Sequence, residues 1–236
     1  MMSTEFDQTA VLIFSRSASQ EAAVKVFDPA AGKTRNKAIA QSLIQRARKV
    51  ARRSKLPVFF HSTAAQSAGS FGENFADALE TVFGKGYRHI IAIGNDCPAL
   101  CSQDLLLAAQ HLTETALVFG PASDGGTYLL GIRREAYDRS AFLQIDWQTP
   151  LVLTQLQDYA QGDFICLTEK SDVDSLADLA QVLRTDALPV LLKHRLARFL
   201  QPLPPPVFSL PCRIFQRAFQ TGFTLRGPPG VSLPLC

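Results

Sequence analysis

Residues 89–100 read HIIAIGNDCPAL. The run His89–Gly94 is short and apolar, the pattern of a buried strand. Asn95 and Asp96 follow it at once. In sheets of parallel strands the ligand lies beyond the carboxyl ends of the strands. An acid in this position therefore stands where a bound ligand would sit.

Outward from this segment, strand and helix patterns alternate. Ala10–Ser15 and Pro57–His61 read as strands, with a basic helix over Asn36–Ser54 between them, whose Ile39, Leu43, Ile44, Ala47 and Val50 recur at helical spacing. Phe71–Phe83 is a helix closed by Gly84 and Gly86, and Ser102–His111 is another. Ala116–Gly120 and Thr127–Ile132 are strands on either side of Asp124-Gly125-Gly126, a turn signal. Thr149–Tyr159 reads as a helix with Pro150 in its first turn, Phe164–Leu167 as a strand, and Ser175–Arg184 as a helix. This alternation predicts an α/β sandwich with a mainly parallel sheet. The residues just after Ser15, Gly94, Gly120 and Leu167 then carry the greatest functional interest.

The chain has 236 residues, 47% of them hydrophobic, which suits a sizeable core and excludes disordered and collagen-like classes. Met1–Gln8 is polar and acidic, so no signal peptide is expected, and no apolar run reaches the length of a membrane span. Five cysteines, odd in number and without a Cys-x-x-Cys pair, argue for a reducing cytoplasm. Past Asp186 the pattern breaks. One amphipathic helix is expected between Pro189 and Leu200, and from Gln201 onward lie eight of the fourteen prolines. Residues 187–236 carry six basic residues and no acid, against 18 basic and 21 acidic residues in 1–186. A mildly acidic body argues against nucleic acid as a partner. The tail, with Phe208, Ile214, Phe215, Phe219 and Phe223 among its cations, suits contact with a membrane surface or a protein, or packing of Leu191–Leu200 on the body with the remainder loose.

Several motifs bear on chemistry. Gly32-Lys33-Thr34 hints at a phosphate loop, but the required glycine five residues earlier is Phe27. Asp96 can hold Mg2+ or Mn2+ against a diphosphate, or cap the following helix. Asp124, with Gly125 and Gly126, can orient an acceptor or act as a base, or can form a plain hairpin turn. Asp174, in Ser171-Asp172-Val173-Asp174, can be a metal ligand or a helix cap. The four histidines have no metal-like spacing, and Trp147 reads as core.

Taken in order, IIAIGNDCPAL (90–100), VFGPASDGGTYLLGI (118–132) and DWQTPLVL (146–153) resemble the radical-SAM/selenodomain-associated transferase family, a family of unknown function. Gln66 and Phe71-Gly72-Glu73 fit its upstream segment, and the likeness spans about residues 10–186. The resemblance implies a GT-A-like fold, that of nucleotide-diphospho-sugar transferases: a three-layer α/β sandwich with a mixed, mainly parallel sheet. It also implies a front loop whose cations face a nucleotide diphosphate. Phe14 and Arg16 match the start of that loop and Lys25 stands nearly in register, but Val26 and Phe27 replace Thr and Arg. Lys33-Thr34-Arg35 supplies the missing string some nine residues late, and Asn74 replaces an Arg. Either the loop is longer or Arg16 and Lys25 serve in its place.

The expectation is a transferase domain over 1–186 with a basic, proline-rich extension over 187–236. The activity expected is glycosyl transfer from a nucleotide sugar, dependent on Mg2+ or Mn2+. Asp96 and Asp174 are the expected metal ligands and Asp124 the acceptor-side residue. Arg16, Lys25, Lys33, Arg35, Asn95, Gly125 and Gly126 are expected around the nucleotide. A nucleotidyltransferase releasing pyrophosphate, suggested by the Asp-Gly-Gly-Thr and Asp-Val-Asp strings, and a nucleotide-binding relative without turnover are the alternatives.

Overall fold

The seven residues of β1 (Thr9–Ser15) are all buried, because this strand lies inside a sheet rather than at its edge. It runs parallel to β2 (Val58–Ser62) on one side and to β3 (His89–Ile93) on the other. With β4 (Leu117–Pro121), β5 (Thr127–Arg133) and β6 (Phe164–Cys166) the sheet has the order β2-β1-β3-β5-β4-β6. β5 is antiparallel to both its neighbours, and β4 pairs in parallel with β6, which makes the sheet mixed and mainly parallel as expected. The computed structural model describes residues 8–29, 32–62, 69–185 and 188–201. Gln66 and the tail from residue 202, including Phe208, Ile214, Phe215, Phe219 and Phe223, lie outside the described residues.

Side chains alternate across the strands, so successive residues face opposite layers. Leu12, Phe14, Ala92, Phe119 and Leu130 pack on one face, against Phe75 and Leu79 of α3 (Phe71–Phe83), Phe142 of α5 (Arg139–Phe142) and Leu156 of α6 (Val152–Ala160). Val11, Ile13, Ile91, Ile93, Val118 and Leu129 pack on the other. They meet Val50 and Ala51 of α2 (Gly32–Arg53) and Leu105 and Ala108 of α4 (Ser102–His111). Burial of each large side chain contributes about 1.5–3 kcal/mol relative to leaving it exposed. A third cluster joins Phe27, Ile39 and Leu43 to Leu179 and Val182 of α7 (Leu176–Arg184) and Leu196 of α8 (Val190–Ala197). Phe27, which breaks the phosphate-loop pattern, is thus a core residue, only 2% exposed. Among the described residues, no helix is long and apolar enough to cross a membrane.

Besides α5, which was not expected, and α2, which begins at Gly32 rather than Asn36, two elements differ from expectation. The front segment read as a loop is a helix, α1 (Ala18–Val24). Ser17 caps it, accepting a hydrogen bond from the Gln20 amide while the Gln20 side chain accepts from the Ser17 amide. This reciprocal Ser-x-x-Gln box is a signal carried in the sequence itself. The helix expected from Thr149 begins instead at Val152, with Leu151 as its N-cap.

Candidate functional site

Beyond the carboxyl ends of β1 and β3, and beside the β4–β5 hairpin, lies a cleft of about 670 Å3. Arg16 follows β1 into it, and Gly94, Asn95 and Asp96 follow β3. Asn95 is buried, and Gly94 makes room for the acid, because a Cβ there would stand 2.8 Å from Asp96 Oδ1.

Two carboxylates and one ammonium stand at the centre of the polar end. Lys25, at the C-terminal end of α1, donates to Asp96 Oδ2 at 2.8 Å and pairs with Asp174 Oδ1 at 2.5 Å. Burial opposes the charge on Lys25, but Asp96 and Asp174 outweigh it and hold its pKa above the ordinary lysine value. Asp96 does not cap α4, whose N-cap is Cys101. Asp174 does not cap α7 either, because Ser175 does so in a capping box with Asp178. Both acids thereby keep their carboxylates for the cleft.

Two further cleft residues were missed by sequence reasoning. Asp172 has a buried Oδ1 without a hydrogen-bond partner. Burial, with the like charges of Asp96 and Asp124, pushes its pKa up to about 8. Glu21, on α1, is 4% exposed, and its Oε2 has no partner. Burial raises its pKa, although nearby Lys25 opposes this. The Asp-x-Asp string signals Asp172. The only signal for Glu21 is its place one helical turn before Lys25, a turn that depends on recognising α1.

Asp124 lines the cleft at the tip of the β4–β5 hairpin and also organises the turn, its Oδ1 accepting the Gly126 amide at 2.9 Å. Turn and cleft roles coexist in this one carboxylate. Gly125 has φ +89°, and a Cβ there would lie 2.3 Å from the Pro150 carbonyl oxygen. Its carbonyl accepts the Leu153 amide. Gly125 thus docks the hairpin on the segment leading into α6, while Gly126 lines the cleft.

The other end of the cleft is aromatic. Phe14, Phe71, Phe75 and Trp147 form a connected wall with ring centroids 4.8–5.9 Å apart. The Trp147 indole N–H is satisfied by the Phe142 carbonyl, so its ring is held against the core while bordering the cleft. Trp147, expected in the core, is partly buried against it and forms part of the cleft wall.

The front-loop cations separate. Arg16 and Lys25 line the cleft, whereas Lys33 and Arg35 do not. Lys33 is exposed in the first turn of α2. Arg35 is drawn off by Asp28 and by the carbonyls of Phe199 and Gln201, the latter at 2.7 Å. The physical reason is α1: by taking up residues 18–24 as a helix, it delivers Lys25 to Asp96 and leaves the later Lys-Thr-Arg string to open α2.

Among the described residues, no three His, Cys, Asp or Glu side chains are gathered closely enough to make a ready metal cage. The oxygens of Asp96 and Asp174 are nonetheless hard donors that meet on a cation, the Lys25 ammonium. The orphaned Asp172 Oδ1 adds an unfilled acceptor. Carboxylate oxygens are of the kind that Mg2+ and Mn2+ take, together with phosphate and water.

Comparison with known proteins bears on the whole arrangement. The family described as "Uncharacterized protein conserved in bacteria (DUF2064)" matches residues 31–149. No curated protein matches by sequence. A "putative nucleotide-diphospho-sugar transferase" from Desulfovibrio desulfuricans G20 is 20% identical with a TM-score of 0.71, covering 81% of this chain and 94% of its own. That likeness places the mixed six-stranded sheet among nucleotide-diphospho-sugar transferase-like folds. More distant are Rv0371c of Mycobacterium tuberculosis H37Rv in complex with manganese (14% identity, TM-score 0.46, 75% of this chain and 99% of that one) and CMP:2-keto-3-deoxy-manno-octonic acid synthetase complexed with CTP (15%, 0.43, 80% and 98%).

Proposed function

This chain belongs to the DUF2064 family, and from that premise we propose that it transfers a glycosyl group from a nucleotide-diphosphate sugar with the help of Mg2+ or Mn2+. The narrower likeness to radical-SAM/selenodomain-associated transferases is part of this proposal, as is the assignment of the transferase to residues 1–186 and of an extension to 187–236. The observation that carries it is the convergence of Asp96 and Asp174 on Lys25, beside the unpartnered Asp172 oxygen, at the strand ends of this fold.

In this reading Asp96 and Asp174 would hold the cation, with the unpartnered Asp172 oxygen close by in the cleft. When bound, the cation supplies positive charge against the leaving diphosphate. Lys25 and Arg16 bind diphosphate oxygens, and with Asn95 and Gly126 they fix the nucleotide. Fixed cations at a site of developing negative charge stabilise the transition state without reorganising. Asp124 orients the acceptor hydroxyl and accepts its proton as the new glycosidic bond forms. The aromatic wall excludes water from the reacting carbon and gives the acceptor an apolar surface to lie on.

The test is a calorimetric titration of nucleotides and nucleotide sugars with and without Mn2+, followed by product analysis. Binding that requires the metal, with nucleoside diphosphate released from a nucleotide sugar, supports the proposal. Pyrophosphate released from a nucleoside triphosphate would assign a nucleotidyltransferase instead. Binding without turnover would leave a nucleotide-binding relative, and the absence of metal-dependent binding would remove the proposal.

A further inference from the structure

Between Asp28 and Glu73 the sequence has no acidic residue, and within Gly32–Lys55 it has nine cations. The helix α2 arranges most of them on one side. Ile39, Leu43, Ala47 and Val50 are buried, while Lys37, Gln41, Gln45, Arg48, Lys49, Arg52 and Arg53 are exposed. Residues three and four apart share a helix face, so Lys37, Gln41, Gln45, Lys49 and Arg52 form one row, with Arg48 and Arg53 on its flanks. Over 22 residues the helix spans about 33 Å. Among the described residues, no carboxylate forms an ion pair with Lys37, Arg48, Lys49, Arg52 or Arg53.

The face continues onto α8. Arg195 donates to Gln45 at 2.6 Å, in the middle of the row. Leu191, one turn before Arg195 on the same side of α8, is 86% exposed, and the adjacent Val190 is 67% exposed. Beside the C-terminal half of α2, the Arg48 guanidinium lies 4.1 Å over the ring of Phe60, itself 40% exposed on the edge strand β2.

We propose that the joined α2 and α8 face is a docking surface for an anionic lipid bilayer. A row of cations free of acids is drawn to the negative surface potential of such a membrane. Protruding aliphatic side chains beside the cations enter the boundary between headgroups and acyl chains, as in interfacial amphipathic helices. Leu191 and Val190 would have no corresponding use on a phosphate backbone, and Phe60, the aromatic side chain beside the row, already has the Arg48 guanidinium over one face of its ring. Lipid therefore fits this surface better than nucleic acid. The surface shares no residue with the cleft lining, so it stands apart from the proposed transfer chemistry.

The experiment is co-sedimentation of the full-length chain with vesicles of phosphatidylcholine alone or with about a third phosphatidylglycerol. Wild-type protein should pellet with the anionic vesicles only, and be released as salt rises from about 0.1 to about 0.5 M. The triple variant Lys49→Glu/Arg52→Glu/Arg53→Glu should bind roughly tenfold to a hundredfold more weakly while unfolding at the wild-type temperature. Should charge reversal disturb folding, the neutral set Lys49→Gln/Arg52→Gln/Arg53→Gln serves the same comparison. Leu191→Asp should weaken binding already at about 0.1 M salt, because the inserted aliphatic contact is lost while the row of cations on α2 remains. Equal pelleting of wild type and triple variant would overturn the proposal, because the bound surface would then lie elsewhere. Absence of wild-type protein from the anionic pellet would overturn it too. So would tighter binding to random-sequence double-stranded DNA than to the vesicles, which would assign the face to nucleic acid.

Discussion

The amide of Val173 donates to the carbonyl of Asp96 at 2.9 Å. This one backbone bond ties the segment before α7 to the loop after β3. It sets Asp172 and Asp174, which flank Val173, beside the Asp96 carboxylate. Val173 itself is fully buried in the cluster with Phe27 and Leu179, so the tie is anchored by apolar packing. The acidic end of the cleft is thus assembled by a hydrogen bond and a valine rather than by the acids, which repel one another.

Asp96→Asn should lower metal-dependent nucleotide affinity by tenfold or more while leaving the fold intact, since Asp174 remains to pair with Lys25. Calorimetry with Mn2+ and a nucleotide sugar, alongside a thermal unfolding curve, checks this. Unchanged affinity would reduce Asp96 to a partner of Lys25 alone.

Lys25→Gln should move two affinities in opposite directions. Mn2+ alone should bind more tightly, because the ammonium competing for Asp96 and Asp174 is gone. The nucleotide diphosphate should bind more weakly, by roughly 1–3 kcal/mol for a lost charged hydrogen bond. Separate titrations of metal and nucleotide distinguish the two. Lys33→Gln, outside the cleft, should alter neither.

Asp172 should make the metal-free protein less stable as pH rises. Its folded pKa of about 8 lies above the ordinary carboxylate value, so between the two the folded state holds a proton that the unfolded state has lost. Stability from this group is fully present below the ordinary carboxylate pKa and is lost as pH climbs through about 8. Asp172→Asn should flatten this slope and raise stability at the alkaline end. Urea denaturation across that pH range, without metal, measures it.

Gly125→Ala should destabilise the fold by about 2 kcal/mol or more. The substitution forces a side chain onto a φ of +89° and drives its Cβ to 2.3 Å from the Pro150 oxygen. Ser17→Ala should cost about 1 kcal/mol through loss of the α1 cap. It should also weaken nucleotide binding, since α1 delivers Lys25 to the cleft. Chemical denaturation of each variant gives both stabilities.

Much of this architecture is written locally. The apolar runs around Ile90–Ile93 and Val11–Phe14 alternate with helix-period segments, and that alternation suffices for an α/β sandwich, because burial on both faces requires it. The positions of Asp96 and Asp124 at the cleft were also legible, each standing next to a strand end or turn that local residues define. The family resemblance supplied only that the sheet is mixed, and the place of the antiparallel β5 between β3 and β4 comes from the structure.

What only the tertiary structure decided is which of several equivalent charges meet. Lys25 and Lys33 are alike as residues, and Asp174 reads equally well as a cap or a ligand. The choice follows from α1, which sets Lys25 against Asp96, 71 residues away, and from Ser175, which takes the cap and frees Asp174. Such pairings depend on the geometry of separate elements brought together by a common core, and a linear pattern carries no record of distance across it. The pKa of Asp172 belongs to the same class, because burial and the neighbouring charges of Asp96 and Asp124 exist only once β3, the hairpin and the segment before α7 have converged.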